Sequence, residues 1–187
     1  ESEWIDAWNE FVLLYKEAHP GDYLPGFPIW ADEWVHLDDL KIPRGTPDWK
    51  KNFLIKNAEF YTQNKKLIDK WLKKYNNLES FPPSRRKLEW QAQDAKSLTE
   101  TIMHFRPSGI RAKRATYVPA LVAITQTSII GRQKRRLSPR EAARLQGLPD
   151  WFDFGGQPDA VTYKQLGNGV SVGAVWHVIK QTVSEYE

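Results

Sequence analysis

Cysteine is absent from the 187 residues. That excludes disulfides, thiolate-ligated zinc and any thiol nucleophile supplied by these residues. Long apolar runs are missing too: none approaches the ~20 residues that a membrane helix needs, and no signal peptide opens the chain. Methionine occurs once, and Glu1 stands where an initiator would, so a processed or cut piece is expected. Nothing calls for an oxidising compartment, and the expectation is an intracellular protein with no membrane partner. The four histidines, His19, His36, His104 and His177, lack metal-ligand spacing, so no metal site is expected.

What is present is apolar enough to fold. Hydrophobic residues make up 41% of the chain, which excludes a wholly disordered tail. A chain of this length buries roughly 70% of its unfolded surface. Nine tryptophans read mostly as core or interface anchors. The net charge of +4 conceals a strong polarity: residues 1–40 carry ten acidic side chains against Lys16 alone, whereas residues 82–144 carry fourteen basic and four acidic ones. A basic segment of that size favours a polyanion, because every phosphate it neutralises releases counterions. The bland alternative is mutual neutralisation of the two segments on the surface.

Residues 3–17 read as a helix, with Trp4, Trp8, Phe11, Val12 and Tyr15 on one stripe. Pro20, Gly21, Pro25, Gly26 and Pro28 make 19–46 mostly loop. Thr46-Pro47-Asp48 opens a second helix, with a capping hydroxyl, a first-position proline and an acid in the first turn. Trp49, Phe53, Phe60, Leu67, Trp71 and Tyr75 hold one face of it as far as Asn76-Asn77, with room for a break. Leu88, Ala95, Leu98, Ile102 and Phe105 predict a third helix from 84 to 105. The β-rich run 117–130 predicts short strands at 120–125 and 127–131, with Pro119 at an edge or a strand start.

Ser138-Pro139-Arg140-Glu141 is the sharpest local signal, a capping box. The Ser hydroxyl accepts from the Glu141 amide, and the Glu carboxylate accepts from the Ser138 amide. Gly147 and Pro149 then stop a short helix over 139–146. A loop follows, and Gly167-Asn168-Gly169 turns into a last helix with Asn168 as its N-cap. Val172, Val175, Ile179 and Val183 give that helix an apolar stripe.

Two tempting triplets carry little. Asp153-Phe154-Gly155 spells a kinase metal-binding triplet, yet no Gly-rich loop or His-Arg-Asp accompanies it. Gly167-Asn168-Gly169 lacks the third glycine and the preceding strand of a dinucleotide fingerprint. The cluster Arg132, Lys134, Arg135 and Arg136 carries more, and Arg140 and Arg144 extend it along the capped helix. Phosphate contact is its economical functional reading, against a solvated face or a localisation signal. Thr125, Gln126 and Thr127 are short polar side chains on the neighbouring predicted strand, where they could reach base edges.

The stretch Arg135-Arg-Leu-Ser-Pro-Arg-Glu-Ala-Ala-Arg-Leu-Gln-Gly-Leu-Pro-Asp150 resembles the ninth motif of DNA (cytosine-5)-methyltransferases. Tyr163-Lys-Gln-Leu-Gly-Asn-Gly-Val-Ser-Val172 resembles their tenth, in matching order and separation. Upstream, Phe81-Pro-Pro-Ser-Arg-Arg-Lys-Leu-Glu-Trp-Gln-Ala-Gln-Asp94, Phe105-Arg-Pro-Ser-Gly-Ile-Arg-Ala-Lys-Arg114 and Thr116-Tyr-Val-Pro-Ala-Leu-Val-Ala-Ile-Thr-Gln-Thr127 resemble the recognition region of a bacterial restriction–modification branch. The resemblance covers roughly 81–180 well and 1–80 more weakly.

The family's Gly-rich cofactor loop, Pro-Cys nucleophile motif and Glu-Asn-Val motif have no counterpart in these residues. That omission matters chemically. Cytosine C5 is unreactive until a thiolate adds at C6, with a carboxylic acid assisting at N3 and the base flipped from the duplex. The resemblance therefore implies an enzyme part that is inactive alone. Its partners would be double-stranded DNA and a catalytic domain or subunit carrying the Pro-Cys motif, in a bacterial cytoplasm. It implies S-adenosylmethionine as cofactor, with Asn168, Gly169 and Leu148 lining its pocket. Leu148 stands where many members carry an aromatic or apolar residue. Gly169 stands where others carry Ser or Ala, which leaves a backbone contact. It places Arg111, Lys113, Arg114, Thr125, Gln126, Thr127, Arg132, Lys134, Arg135 and Arg136 against DNA.

The expected architecture is α+β without the family's Rossmann-like catalytic domain. Residues 1–80 would form a helical connecting region and 81–136 the target-recognition region with a small β-unit. Residues 137–187 would supply two C-terminal helices that close onto the absent catalytic domain. The rival reading is a non-enzymatic DNA-binding regulator that uses the basic segment 106–144.

Overall fold

A computed structural model describes residues 1–123 and 127–184. It is a mixed α+β structure of helices and six short strands. The chain divides into two compact units. Unit 1 comprises Glu1–Tyr117 with Ile130–Lys134, and unit 2 comprises the described residues of Val118–Ile129 with Arg135–Glu187.

Unit 1 is organised by tryptophan. Helix α1 (Ser2–Ala18) buries Trp8, Phe11, Val12 and Tyr15, as its 3.6-residue spacing requires. Helix α2 (Asp48–Lys74) buries Phe60, Ile68 and Trp71 against them. The Trp8 and Phe11 rings lie 5.1 and 5.0 Å from that of Trp71. The indole N–H groups are not wasted: Trp8 donates to the Arg85 carbonyl at 2.8 Å and Trp71 to that of Ala7 at 2.9 Å. Buried Asn57 ties the preceding loop to α2, accepting from the Trp30 amide and donating to the Pro28 carbonyl. The break in α2 falls at Asn64 (φ −113°, ψ 16°). The side-chain amide of Asn64 donates to the Phe60 carbonyl there, and its oxygen meets His19 Nε2 at 2.6 Å.

Two details of α2 depart from expectation. Pro47, not Thr46, occupies the N-cap. The Thr46 hydroxyl donates to the Pro43 carbonyl instead, so the cap is made without it. Trp49 is exposed rather than part of the buried stripe, because it sits in the first turn, before the helix meets α1.

The largest correction concerns residues 84–105, which form no α-helix. They contain β2 (Lys87–Gln91) and most of β3 (Thr101–Arg106). In β2 burial alternates, with Leu88 and Trp90 inward, which is the period of a strand. Strand β4 (Gly109–Arg114) lies between them, parallel to β2 and antiparallel to β3. The apparent helical spacing of Leu88, Ala95, Leu98, Ile102 and Phe105 spans two strands and the turns between them. Strand β1 (Ile29–Trp30) pairs antiparallel with β2, giving the order β1-β2-β4-β3.

Among the described residues the strands predicted around 120–125 and 127–131 reduce to β5 (Ile129–Ile130), and residues 124–126 lie outside the described residues. Residues 117–123, Pro119 among them, carry no strand, and the proline's missing donor is consistent with that. In unit 2, β6 (Arg135–Arg136) leads into helix α3 (Pro139–Leu145). The capping box is present in full, and Gly147 stops the chain at φ +82°. A helix absent from the sequence reading follows, α4 (Asp159–Asn168), then α5 (Val172–Ser184). Among the described residues the C-terminal part therefore has three helices rather than two. Asn168 ends α4 instead of capping α5.

The core of unit 2 is small: Ala142, Ala143 and Leu166, with Leu121, Leu148, Phe154 and Tyr163 packed around it. Helix α5 adds no buried residue. Among the described residues no helix is long and apolar enough to cross a membrane, and no cluster of metal-ligating side chains occurs.

Candidate cofactor groove and nucleic-acid interface

In unit 2 the ends of α3 and α4 and the start of α5 converge on a groove of about 210 Å³. Leu148, Phe152, Phe154, Leu166, Val170 and Val172 supply apolar walls, and Gln146, Gln165 and Gly169 supply polar edges. Two of the three expected cofactor residues, Leu148 and Gly169, line it. Asn168 is exposed at the end of α4 and is not among the lining residues.

Gln146 is what brings the three helices together. Its side-chain amide donates to the Leu166 carbonyl at 2.6 Å, and its own carbonyl accepts from the Val172 amide at 2.8 Å. Sequence reasoning passed over it, although a glutamine just before a helix-stopping glycine is well placed to bridge backbone groups. Phe152 and Phe154 were missed as well. Their rings meet edge to face at 5.2 Å, and the Arg140 guanidinium lies 5.1 Å from the Phe154 ring centre. Arg140 also donates to the Phe152 carbonyl at 2.8 Å, so this cation holds the aromatic loop in place.

The cations expected against DNA are distributed over both units. On β4 of unit 1, Arg111 Nε lies 2.8 Å from Glu89 and Arg114 is 2.6 Å from Asp94. Lys113 rests 5.1 Å from the Tyr117 ring centre. Arg132 is exposed in the 3-10 turn Gly131–Gln133, and Lys134 (φ +49°) pairs with Asp6.

In unit 2 Arg135 grips Glu141 with two nitrogens, at 2.7 and 2.8 Å, and Arg136 donates to the Thr127 carbonyl at 2.8 Å. Thr127 is buried. Thr125 and Gln126 lie outside the described residues. Arg144, four residues beyond Arg140, is likewise engaged, with Asp150 at 2.7 and 3.0 Å.

Glu141 carries the clearest electrostatic signature. The Arg135 guanidinium, then the Ser138 amide, pull its carboxyl down to about 2 against an ordinary 4.5. Arg144 similarly lowers Asp150. In both pairs the cation serves the local structure of the capped helix before any ligand arrives.

A family model described as C-5 cytosine-specific DNA methylase matches residues 31–184. The chain belongs to that family. It is 45% identical over 225 aligned residues to the Type II methyltransferase M.AluI of Cellulosimicrobium cellulans, an alignment covering 98% of this chain and 43% of that protein. Shorter matches join it to M.HgiCI of Herpetosiphon aurantiacus, 56% identical over 45 residues, and to M.BanI of Aneurinibacillus aneurinilyticus, 54% over 46. These cover 24% and 25% of this chain and 10% of each relative. The chain thus spans less than half the length of these curated relatives. No solved structure matches it at a significant level.

Proposed function

We propose that this chain recognises DNA and closes the cofactor site of a DNA (cytosine-5)-methyltransferase that moves a methyl group from S-adenosylmethionine to cytosine C5. The observation that carries the proposal is α5. Val172, Val175, Trp176, Ile179 and Val183 fall within one stripe of that helix, all are exposed, and Val172 also borders the groove. An apolar stripe of that size is costly in water, since burying each large side chain returns ~1.5–3 kcal/mol. The partner that would cover it is the catalytic domain or subunit bearing the Pro-Cys motif, which would supply the Rossmann-like sheet. Without a cysteine the chain would be inactive alone.

The groove fits one side of such a cofactor. Leu148, Phe152 and Phe154 offer flat apolar surface for a purine, and Gln165 and the Gly169 backbone offer polar contacts. Its ~210 Å³ falls short of the roughly 300 Å³ at which pockets begin to enclose ligands of this class, which suits a wall completed by a second surface. No lining residue is charged, so the cofactor's positive charge would be met from the other side. When bound, S-adenosylmethionine supplies an electrophilic methyl group. The chain's own task would be to orient the cofactor and exclude water.

Residues 1–80 would serve as the connecting region, 81–136 as the target-recognition region and 137–187 as the closing segment. Among the proposed contacts, Arg111, Lys113, Arg114, Arg132, Lys134, Arg135 and Arg136 would meet phosphates or bases. Thr125 and Gln126 would approach base edges, whereas Thr127, expected there with them, is buried and would support the segment. The setting would be a bacterial cytoplasm. Mixing the chain with the catalytic part, labelled S-adenosylmethionine and duplex DNA should yield labelled DNA, while neither part alone should. No transfer by two well-folded preparations would overturn the reading.

A further inference from the structure

The outward face of the sheet in unit 1 holds the least exposed ion pair among the described residues. Leu88, Trp90, Ile110 and Ala112 turn inward from β2 and β4, so Glu89, Gln91, Arg111 and Lys113 share the other face. The parallel register sets Glu89 beside Arg111 and Gln91 beside Lys113. The Glu89 and Arg111 side chains are 18% and 26% exposed.

Both oxygens of Glu89 are engaged. One accepts from Arg111 Nε at 2.8 Å, and the other accepts from the Gln91 side-chain amide. Bonding through Nε leaves the two terminal nitrogens of Arg111 without a hydrogen bond among the described residues. The guanidinium is therefore a planar fork of donors whose direction is set before any ligand arrives.

Such a fork takes two adjacent acceptors, and DNA offers two kinds: phosphate oxygens, and the O6 and N7 atoms of guanine in the major groove. Glu89 decides between them. Its carboxylate offsets the charge of the guanidinium and repels a phosphate brought to the same place. The neutral acceptors of guanine meet no such repulsion, and the free N–H groups remain to bond them. Strands enter DNA grooves in several binding folds.

We infer that Arg111 reads a guanine of the target site and that Glu89, braced by Gln91, is the positioning residue that aims it. The inference rests on the recognition role proposed above and sharpens it, because it assigns Arg111 to a base rather than to a phosphate.

The test uses the chain assembled with its catalytic part. It sequences the cytosines methylated in a random duplex library and measures the salt dependence of binding. Wild type should require guanine at one or more fixed positions. Arg111→Lys keeps the charge and removes the fork. At one of those positions the rate ratio of guanine over other bases should fall about tenfold, within the range of one bidentate contact. The slope of log K against log salt should stay unchanged.

Glu89→Ala should relax the same position and no other, and Glu89→Gln, which keeps one acceptor oxygen, should relax it less. In the Arg111→Lys background Glu89→Ala should add nothing, as expected of a residue that acts through Arg111. Placing 7-deazaguanine at that position removes the N7 acceptor. It should slow the wild type about tenfold and barely affect Arg111→Lys. A site set without a fixed guanine, or rates lowered equally at every site in both Arg111→Lys and Glu89→Ala, would overturn the inference and leave the functional reading intact. So would a wild type indifferent to 7-deazaguanine at every guanine of its site. Absence of any transfer by the wild-type assembly would overturn both.

Discussion

Glu141 concentrates three roles in one carboxylate. It accepts from the Ser138 amide at 2.8 Å, it pairs with both terminal nitrogens of Arg135, and it sits in the first turn of α3. There it also meets the helix dipole favourably. Its folded pKa of about 2 lies below the ordinary 4.5, so its contribution is complete above the unfolded value and is lost as pH falls through the interval between the two. Glu141→Gln should lower stability by about 1 kcal/mol near neutrality, the usual worth of a cap. It should also flatten the decline in melting temperature as acid is added from about pH 5 to pH 3, because the variant has no proton to take up there. Thermal melts across that range check both statements; an equal acid decline in the two proteins would assign the sensitivity to other carboxylates.

The elements differ in how much of themselves the sequence displays. The capping box and the glycine stop of α3 were legible because their chemistry is confined to ten residues and needs no partner. Helix α1 was legible because its stripe faces one large core. Strands β2 to β4 were not, since a parallel pairing of Leu88 with Ile110 depends on residues more than twenty positions apart. Helix α4 was missed because it buries only Thr162 and Leu166. Yet Pro158-Asp159 repeats the Pro47-Asp48 opening of α2, a signal that was present and went unread.

The groove followed the same rule. Among its lining residues Leu148 and Gly169 were expected from motif resemblance, whereas Gln146, Phe152 and Phe154 became visible only when three helix ends met. Helix α5 gives a direct test of what those ends are for. Its stripe was legible, and none of it is buried. Trp176→Lys combined with Ile179→Lys should therefore leave the isolated chain's melting temperature within about 1 °C, as exposed substitutions generally do. The same pair should abolish association with the catalytic part in analytical ultracentrifugation. A large loss of stability in the isolated chain would mean that α5 already has a partner within it.

At the scale of the whole molecule, charge polarity is the property most visible in the sequence and most modified by folding. The strongly basic span 82–144 suggested a surface held ready for phosphate. In the fold, Arg111, Arg114, Lys134, Arg135 and Arg144 each have a carboxylate partner. Two of those carboxylates, Asp6 and Asp150, lie outside the basic span in sequence, so part of the polarity is spent internally. Exposed pairs are worth about 0–1 kcal/mol, which lets a phosphate displace the carboxylate where geometry allows. The doubly bonded Arg135–Glu141 pair, tied into a helix cap, is the least exchangeable of them. Arg132, by contrast, stands exposed in its turn with no carboxylate partner among the described residues. The salt dependence of DNA binding separates these two kinds of cation. Arg132→Ala should reduce the slope of log K against log salt by about 0.9, the share of one released phosphate contact. Arg135→Ala should reduce that slope by less, because its pairing with Glu141 competes with a phosphate, and should lower the melting temperature as well. Fluorescence anisotropy on a fixed duplex across a salt series, paired with thermal melts, reads both quantities; equal slopes for Arg132→Ala and wild type would remove Arg132 from the interface.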